Sequence, residues 1–461
     1  MKYKTKERMS VDEKIYFFVI IILRAVFYWM LMPYTKIGDS DEYISVSSKA
    51  IFGGELHSRR TPIYPVFLDG IKYLSKNILK DENWLILVVG IQIIISFIAV
   101  VVMYMLIKSL TNKKIAYIIT FIYGTSPNII GWDKIILTES LAISGTVFFV
   151  YLLKNYLDSP NVRTGIKINI LLFVLIFLRP TFLVNYIITL LFWSIRFFMY
   201  LNERRILLKN IIGSAIVGIT VLGYAMLICK QYGIFTLSTT KTAQDCITIV
   251  QQSLWGNVKL NSSKEIVVDI IERNDPENEN GCMEAVGYIL ASKDWKAIKQ
   301  FNSDAIENNW TGFAKHKFLT MFLLADIDLG DNTWYGTSIW TATKLYYEDE
   351  ITLYSVKNTD IYRKFVNIWR KLNITIRFCH IYILIFAEIW FIVKNNKKKE
   401  MWIHLGLASF MLAICVTSIL GTCAEWGRTA ICVLPYTYIS LGYLIDYVIK
   451  KIKVQENIVN Y

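Results

Sequence analysis

The chain has no metal-thiolate or dithiol signature. Its seven cysteines form no CxxC pair and fall in no His/Cys ligand spacing, which excludes both a zinc site of that kind and a redox motif. A glycine-rich nucleotide-binding motif is missing too. No basic stripe interleaved with aromatics runs along any non-membrane segment, so the net charge of +13 does not mark a nucleic-acid partner. Neither an internal repeat nor a low-complexity tract is visible, although the inverted symmetry of transporters often leaves no trace in sequence. The first apolar stretch is too long, and too poor in small residues at its end, for a cleaved signal peptide. Only Cys246 and Cys282 lie well outside the apolar runs, and their pairing stays open.

What is abundant is apolar surface. Of 461 residues, 54% are hydrophobic and 14% aromatic, and the mean hydropathy is +0.40. That is too oily for a soluble chain with so much surface to cover. The expectation is an all-α polytopic membrane protein, and the wealth of Ile, Lys and Asn suggests an AT-rich bacterial genome. A spanning helix needs ~20 apolar residues, and roughly ten runs qualify or nearly do: 16–32, 84–107, 115–127, 136–153, 168–178, 182–201, 211–228, 374–393, 402–420 and 430–449. Hydropathy leaves open whether 168–201 is one over-long helix or two broken at Arg179-Pro180.

Positive charge decides in favour of two. With a cytoplasmic N-terminus (Lys2, Lys4, Lys6, Arg8, Lys14), only that count puts every basic cluster on one side: Lys108/Lys113/Lys114, Lys154/Arg163/Lys167, Arg204/Arg205/Lys209, Lys394/Lys397/Lys398/Lys399 and Lys450/Lys451/Lys453. Both termini are then cytoplasmic. The chain divides into an N-terminal membrane module (1–229) with an outer loop at 35–83, an extracytoplasmic segment (230–373), and a C-terminal membrane module (374–461). In the segment, helices are expected over 264–273, 285–291 and 294–308, and a surface-lying helix over 313–324.

The unusual polar residues Asp39, Asp41, Glu42, Arg60, Asp133, Glu139, Arg179, Glu425 and Arg428 all fall at the outer face, at one depth, where they can converge on one cavity. Each also has a plainer reading. Asp39 and Glu42 form a capping box that opens a helix ending at Gly53-Gly54. Arg60 pairs with a nearby acid or reaches lipid headgroups, while Glu139 sits at a positive helix end. Glu425 and Arg428 form a simple ion pair, and His57 alone means little. Capping needs only one acid, however, and does not explain why the loop then delivers Arg59, Arg60 and Tyr64. Guanidinium forks on a backbone stiffened by Pro62 and Pro65 suit a phosphate.

Asp39-x-x-x-Tyr43, Arg60-Thr61-Pro62-x-Tyr64-Pro65, Thr138-Glu139-Ser140, Arg179-Pro180-Thr181 and Glu425-x-Gly427-Arg428 together resemble the GT-C superfamily of polyprenyl-phosphate-sugar glycosyltransferases. The likeness is to bacterial members similar to dolichyl-phosphate-mannose protein mannosyltransferases and aminoarabinose lipid A transferases. It covers most of the membrane part and not the segment 230–373. It implies a GT-C-like bundle of about ten transmembrane helices, with Asp39 as catalytic base; the acid that the family often shows directly after that Asp is Ser40 here, which keeps Asp41 and Glu42 in play. Arg60, Arg428 and Arg179 would hold the donor phosphate, with Tyr43, Tyr64, Asp133, Glu139 and Glu425 in support.

The expected activity is inverting transfer of a sugar from a polyprenyl-phosphate donor to a lipid, glycan or protein acceptor of the cell envelope. No cofactor is demanded, and a divalent cation on a carboxylate such as Glu139 stays open. A transporter or flippase of a lipid-linked or anionic solute would use the same charges without chemistry. An O-antigen polymerase or ligase would share the architecture.

Overall fold

The computed structural model describes residues 9–36, 39–47, 56–80, 83–255, 262–274, 279–324, 364, 381–394, 398–422 and 426–459. They form an all-α membrane protein, with no strand among the described residues beyond an isolated bridge joining Thr35 and Ile135. Helix α1 (Val11–Met30) opens with a complete capping box between Ser10 and Glu13. Two short helices follow in the first loop, α2 (Asp39–Ser47) and α3 (Ile63–Tyr73). The bundle continues with α4 (Trp84–Leu110), α5 (Lys113–Thr125), the single turn α6 (Pro127–Ile130), α7 (Glu139–Asp158), α8 (Val162–Leu178), α9 (Leu183–Met199) and α10 (Arg204–Tyr232).

The stretch 168–201 is two helices. Arg179 adopts extended backbone after α8, and Pro180 opens a 3-10 turn (Pro180–Phe182) because its ring cannot continue the helix. Six segments are long and apolar enough to cross a membrane: Trp84–Leu110, Glu139–Asp158, Pro180–Met199, Leu201–Tyr232, Glu400–Gly421 and Ile431–Lys453. The other four apolar runs are helical where described, within α1, α5, α8 and α16 (Ile381–Lys394), but are shorter or more charged.

Outside the bundle, α11 (Thr240–Gln251), α12 (Ser262–Arg273), α13 (Glu279–Ala291) and α14 (Trp295–Asn308) enclose a second core around Cys246, Ile249, Ile271, Ile298 and Phe301. Three of these match the expected helices, and Asp294 caps α14 through Ala297 N. The fourth, α11, carries its apolar residues Ala243, Cys246, Ile249 and Val250 at helical spacing among polar ones. Cys246 is fully buried there. Helix α15 (Trp310–Leu324) packs on α17 (Lys398–Gly421), and Lys317 donates to the Thr422 carbonyl; it leans on the bundle as well as on any surface.

After α17 come α18 (Trp426–Thr429) and the long α19 (Leu434–Val459). Side-chain bonds gather the basic ends of these helices together. Lys108 meets Glu13 at 3.0 Å, Asn112 donates to Asp446, Trp402 to Tyr200, and Lys394 to Tyr447. The first loop, the Arg179 break and Arg428 lie together at the opposite end.

Candidate active site

The site is assembled from four distant segments. Asp39 is the first residue of α2, but its carboxylate does not cap that helix as expected. Oδ1 accepts from Arg60 and Oδ2 from Arg428 at 2.6 Å. Glu42, one turn on, is likewise drawn off the helix: Oε2 binds Arg60, and Oε1 lies 2.8 Å from Arg59 and 3.4 Å from the His57 ring. A guanidinium within reach competes for these carboxylates more strongly than a backbone N–H, since charge-assisted bonds are about twice as strong.

The basic loop is braced from both sides. His57 Nδ1 accepts from the backbone N–H of Arg59 and of Arg60, a turn that the sequence reading passed over. The start of α11 grips the same loop: Thr239 N donates to the Ser58 carbonyl at 2.9 Å, and Ser238 Oγ to the Arg59 carbonyl at 2.7 Å. The segment that follows α10 therefore positions the arginines. Arg60 lies 4.8 Å over the Tyr43 ring, which meets Tyr64 edge-on; Tyr64 in turn donates to the buried Gln92 of α4. Gln92 donates to the carbonyls of Asp133 and Ile135, which ties the stack to the turn before α7. The spacing of Asp39, Tyr43, Arg60 and Tyr64 thus has one physical cause.

Glu139, the first residue of α7 and buried, accepts from Arg428 Nε at 2.8 Å and pairs with Arg179 at 3.3 Å. It therefore sits at the positive end of a helix and within reach of two guanidinium groups. Among the described residues three carboxylates (Asp39, Glu42, Glu139) face four guanidinium groups (Arg59, Arg60, Arg179, Arg428), an excess of one positive charge. Burial acts to raise the Asp39 pKa, but Arg428 and then Arg60 outweigh it and hold the carboxyl below the usual range. Among the described residues no group of three or more His, Cys, Asp or Glu side chains could hold a metal ion.

Three expected members are not brought to this cluster. Asp41 points outward and pairs with Lys36 at 2.8 Å, because helical geometry turns it away from Asp39 and Glu42. Asp133 is buried in a neighbouring cluster, where Arg24, Tyr28 and Ser140 bond its carboxylate. Arg24, in α1, was missed by the sequence reading; a lone arginine within an apolar helix was the signal. Glu425 lies outside the described residues.

Residues 57–241 match the model of the Alg9-like mannosyltransferase family. The match bears out the GT-C resemblance. It spans the basic loop, Glu139 and Arg179, while Asp39 and Arg428 fall on either side of it. No curated protein matches the chain in sequence. Among solved structures, the chain is similar to the archaeal oligosaccharyltransferase AglB from Archaeoglobus fulgidus, determined in complex with an inhibitory peptide and a dolichol-phosphate. Identity is 11% and the TM-score 0.47, over 98% of this chain and 52% of that one. The chain thus spans about half the length of that protein.

Proposed function

We propose that this protein transfers a sugar from a polyprenyl-phosphate donor to an extracytoplasmic acceptor with inversion at the anomeric carbon. The observation that carries the reading is Asp39 set between Arg60 and Arg428: a base beside the cations that would hold the leaving phosphate. The acceptor hydroxyl oxygen attacks the anomeric carbon as Asp39 takes its proton, and the carbon–oxygen bond to the phosphate breaks with its electrons going to the phosphate. Arg60 and Arg428, backed by Arg179, stabilise the charge that develops there. Glu139 orients Arg428 and Arg179.

Carboxylates fill the guanidinium forks of Arg60 and Arg428. A phosphate must displace them, and as Arg60 and Arg428 turn to it the Asp39 carboxylate becomes a better base. Incubating the purified protein with a radiolabelled polyprenyl-phosphate sugar and a crude acceptor tests the proposal. Donor consumption and labelled acceptor are expected; movement of intact donor across a vesicle would indicate a transporter.

Glu42→Gln removes the carboxylate that competes for Arg59 and Arg60. Donor affinity should rise by several-fold, on the order of one charge-assisted bond. Arg60→Ala should weaken donor binding by ~10-fold or more, with Arg60→Lys restoring part of it, since the lysine lacks the fork. Arg60 is only 10% exposed and holds two acids, so its removal should cost stability as well, more than a free loop arginine would. Donor affinity unchanged in both variants would remove Arg60 from the phosphate site.

We also place the arginine end outside the cell and the lysine-rich end in the cytoplasm, on the positive-inside rule. In a cysteine-free background, Glu307→Cys should react with an impermeant maleimide in intact cells and Ser159→Cys only after lysis. The reverse pattern would invert the topology.

A further inference from the structure

Helix α7 runs for 20 residues from Glu139 in the arginine site to Asp158, about 30 Å along its axis. At that far end α4, α7, α16, α17 and α19 surround a cavity of about 610 Å³ lined by Lys154, Lys394, Lys450, Glu400, His404 and Tyr443 among others. None of these residues has a role in the transfer reaction.

The cavity is backed by a buried polar chain. Ser440 Oγ donates to Glu388 Oε1, and Glu388 Oε2 lies 2.6 Å from His404 Nδ1. Glu388 is fully buried and His404 only 2% exposed. A carboxylate inside an apolar bundle is costly, and its usual use is to fix a partner for function. Here it fixes the imidazole: with Nδ1 held by Glu388, and the ring packed against Phe391 at 5.0 Å and Tyr443 at 4.7 Å, the edge bearing Nε2 is left to face the cavity.

Beside it Lys394 donates to Tyr447 at 2.6 Å and lies over the Trp390 and Tyr447 rings. Its partners there, Tyr447 and Trp390, carry no carboxylate. Lys154 and Lys450 are paired one turn away with Asp158 and Asp446.

Three lysines and three carboxylates (Asp158, Glu400, Asp446) line the cavity, so a guest carrying charges of both signs enters without building up net charge. From the mouth, exposed Phe386, Ile389, Trp390 and Val393 run down α16 as an apolar strip against which acyl chains can lie. We propose that this cavity binds a zwitterionic phospholipid headgroup of the phosphoethanolamine type. Lys394 donates to the phosphate oxygens, joined by Nε2–H of His404 when the ring is the imidazolium paired with Glu388, and the ammonium faces the carboxylates.

The test uses delipidated full-length protein in detergent. Lipid retention is read by native mass spectrometry and binding by thermal shift, with phosphatidylethanolamine, phosphatidylglycerol or inorganic phosphate added. Phosphatidylethanolamine should be retained and should stabilise, and Lys394→Gln should weaken its apparent affinity ~10-fold, the loss of one charge-assisted contact. His404→Gln, which can still accept or donate from the same depth, should weaken it less. Lys394 is at the helix end and its variant keeps the fold, so unaltered phosphatidylethanolamine binding by Lys394→Gln would overturn the assignment. Equal or stronger stabilisation by phosphatidylglycerol would overturn the zwitterion, and an equal effect of inorganic phosphate would overturn the lipid.

Discussion

Asp39→Asn should leave expression and the helical fold intact while turnover falls by at least ~100-fold, the usual scale for loss of a general base. The amide keeps the size of the side chain and its oxygen still accepts from an arginine, but it takes no proton at neutral pH. The comparison that matters is with the neighbours. Asp41→Asn should be nearly silent, because that side chain is paired with Lys36 in solvent. Glu42→Gln should alter donor binding without abolishing turnover.

The pH dependence follows from the same geometry. Burial alone would raise the Asp39 pKa, but Arg428 and Arg60 depress it. Its ion pairs therefore stabilise the fold fully above the ordinary carboxyl range, near pH 4, and that stability is lost only as pH falls through the lowered folded value. Asp39 should thus impose no acid limb on kcat/KM near neutrality, whereas Arg428→Gln should move an acid limb upward. Near-normal transfer by Asp39→Asn would dismiss it as the base, and the acid would have to be sought at Glu42 or Glu139.

Arg24→Leu should be the most damaging single change to stability, at about 3–5 kcal/mol, the cost of stranding one partner of a buried pair. Arg24 and Asp133 are 3% and 1% exposed, and Arg24 also bonds Ser96 and Tyr28. Burial already raises the Asp133 pKa even with Arg24 present. Without Arg24 it rises further, so the native variant binds protons that the unfolded chain has released. The variant's stability should therefore fall as pH rises above about 4, opposite in sign to the contribution of Asp39. Adding Asp133→Leu to Arg24→Leu should restore part of the loss, since it removes the stranded charge. Thermal unfolding in detergent across pH 5 to 8 at fixed ionic strength measures both. A single-variant cost under ~1 kcal/mol would show that the pair is not what holds the turn before α7.

Much of the site was legible in the chain because its residue types are out of place there. A carboxylate or guanidinium beside a long apolar run costs free energy unless it is used, so Asp39, Arg60, Glu139, Arg179 and Arg428 stood out singly. Their mutual pairing did not, since Arg428 is joined to Asp39 across 389 positions. Asp41 shows the limit from the other side: it belongs to the same acidic run, and only the turn of α2 separates it from its neighbours. Asp133 was assigned to the wrong group because its partner Arg24 lies in another helix. The ordinary look of Gln92, His57 and Ser238 hid their bracing roles, which depend wholly on what stands opposite them.

Hydropathy and charge by themselves determined an all-α membrane bundle, the two-helix division at Arg179-Pro180, and the gathering of basic clusters at one end. These follow from local terms: apolar length against bilayer thickness, the proline ring against the preceding turn, and charge beside each run. Tertiary structure alone decided which acid meets which arginine, that α11 holds the basic loop, and that Glu388, His404 and Ser440 form a chain at the far end. Those are contacts between different helices and loops, from 16 to 389 positions apart, whose free energy arises only when packing removes both partners from solvent.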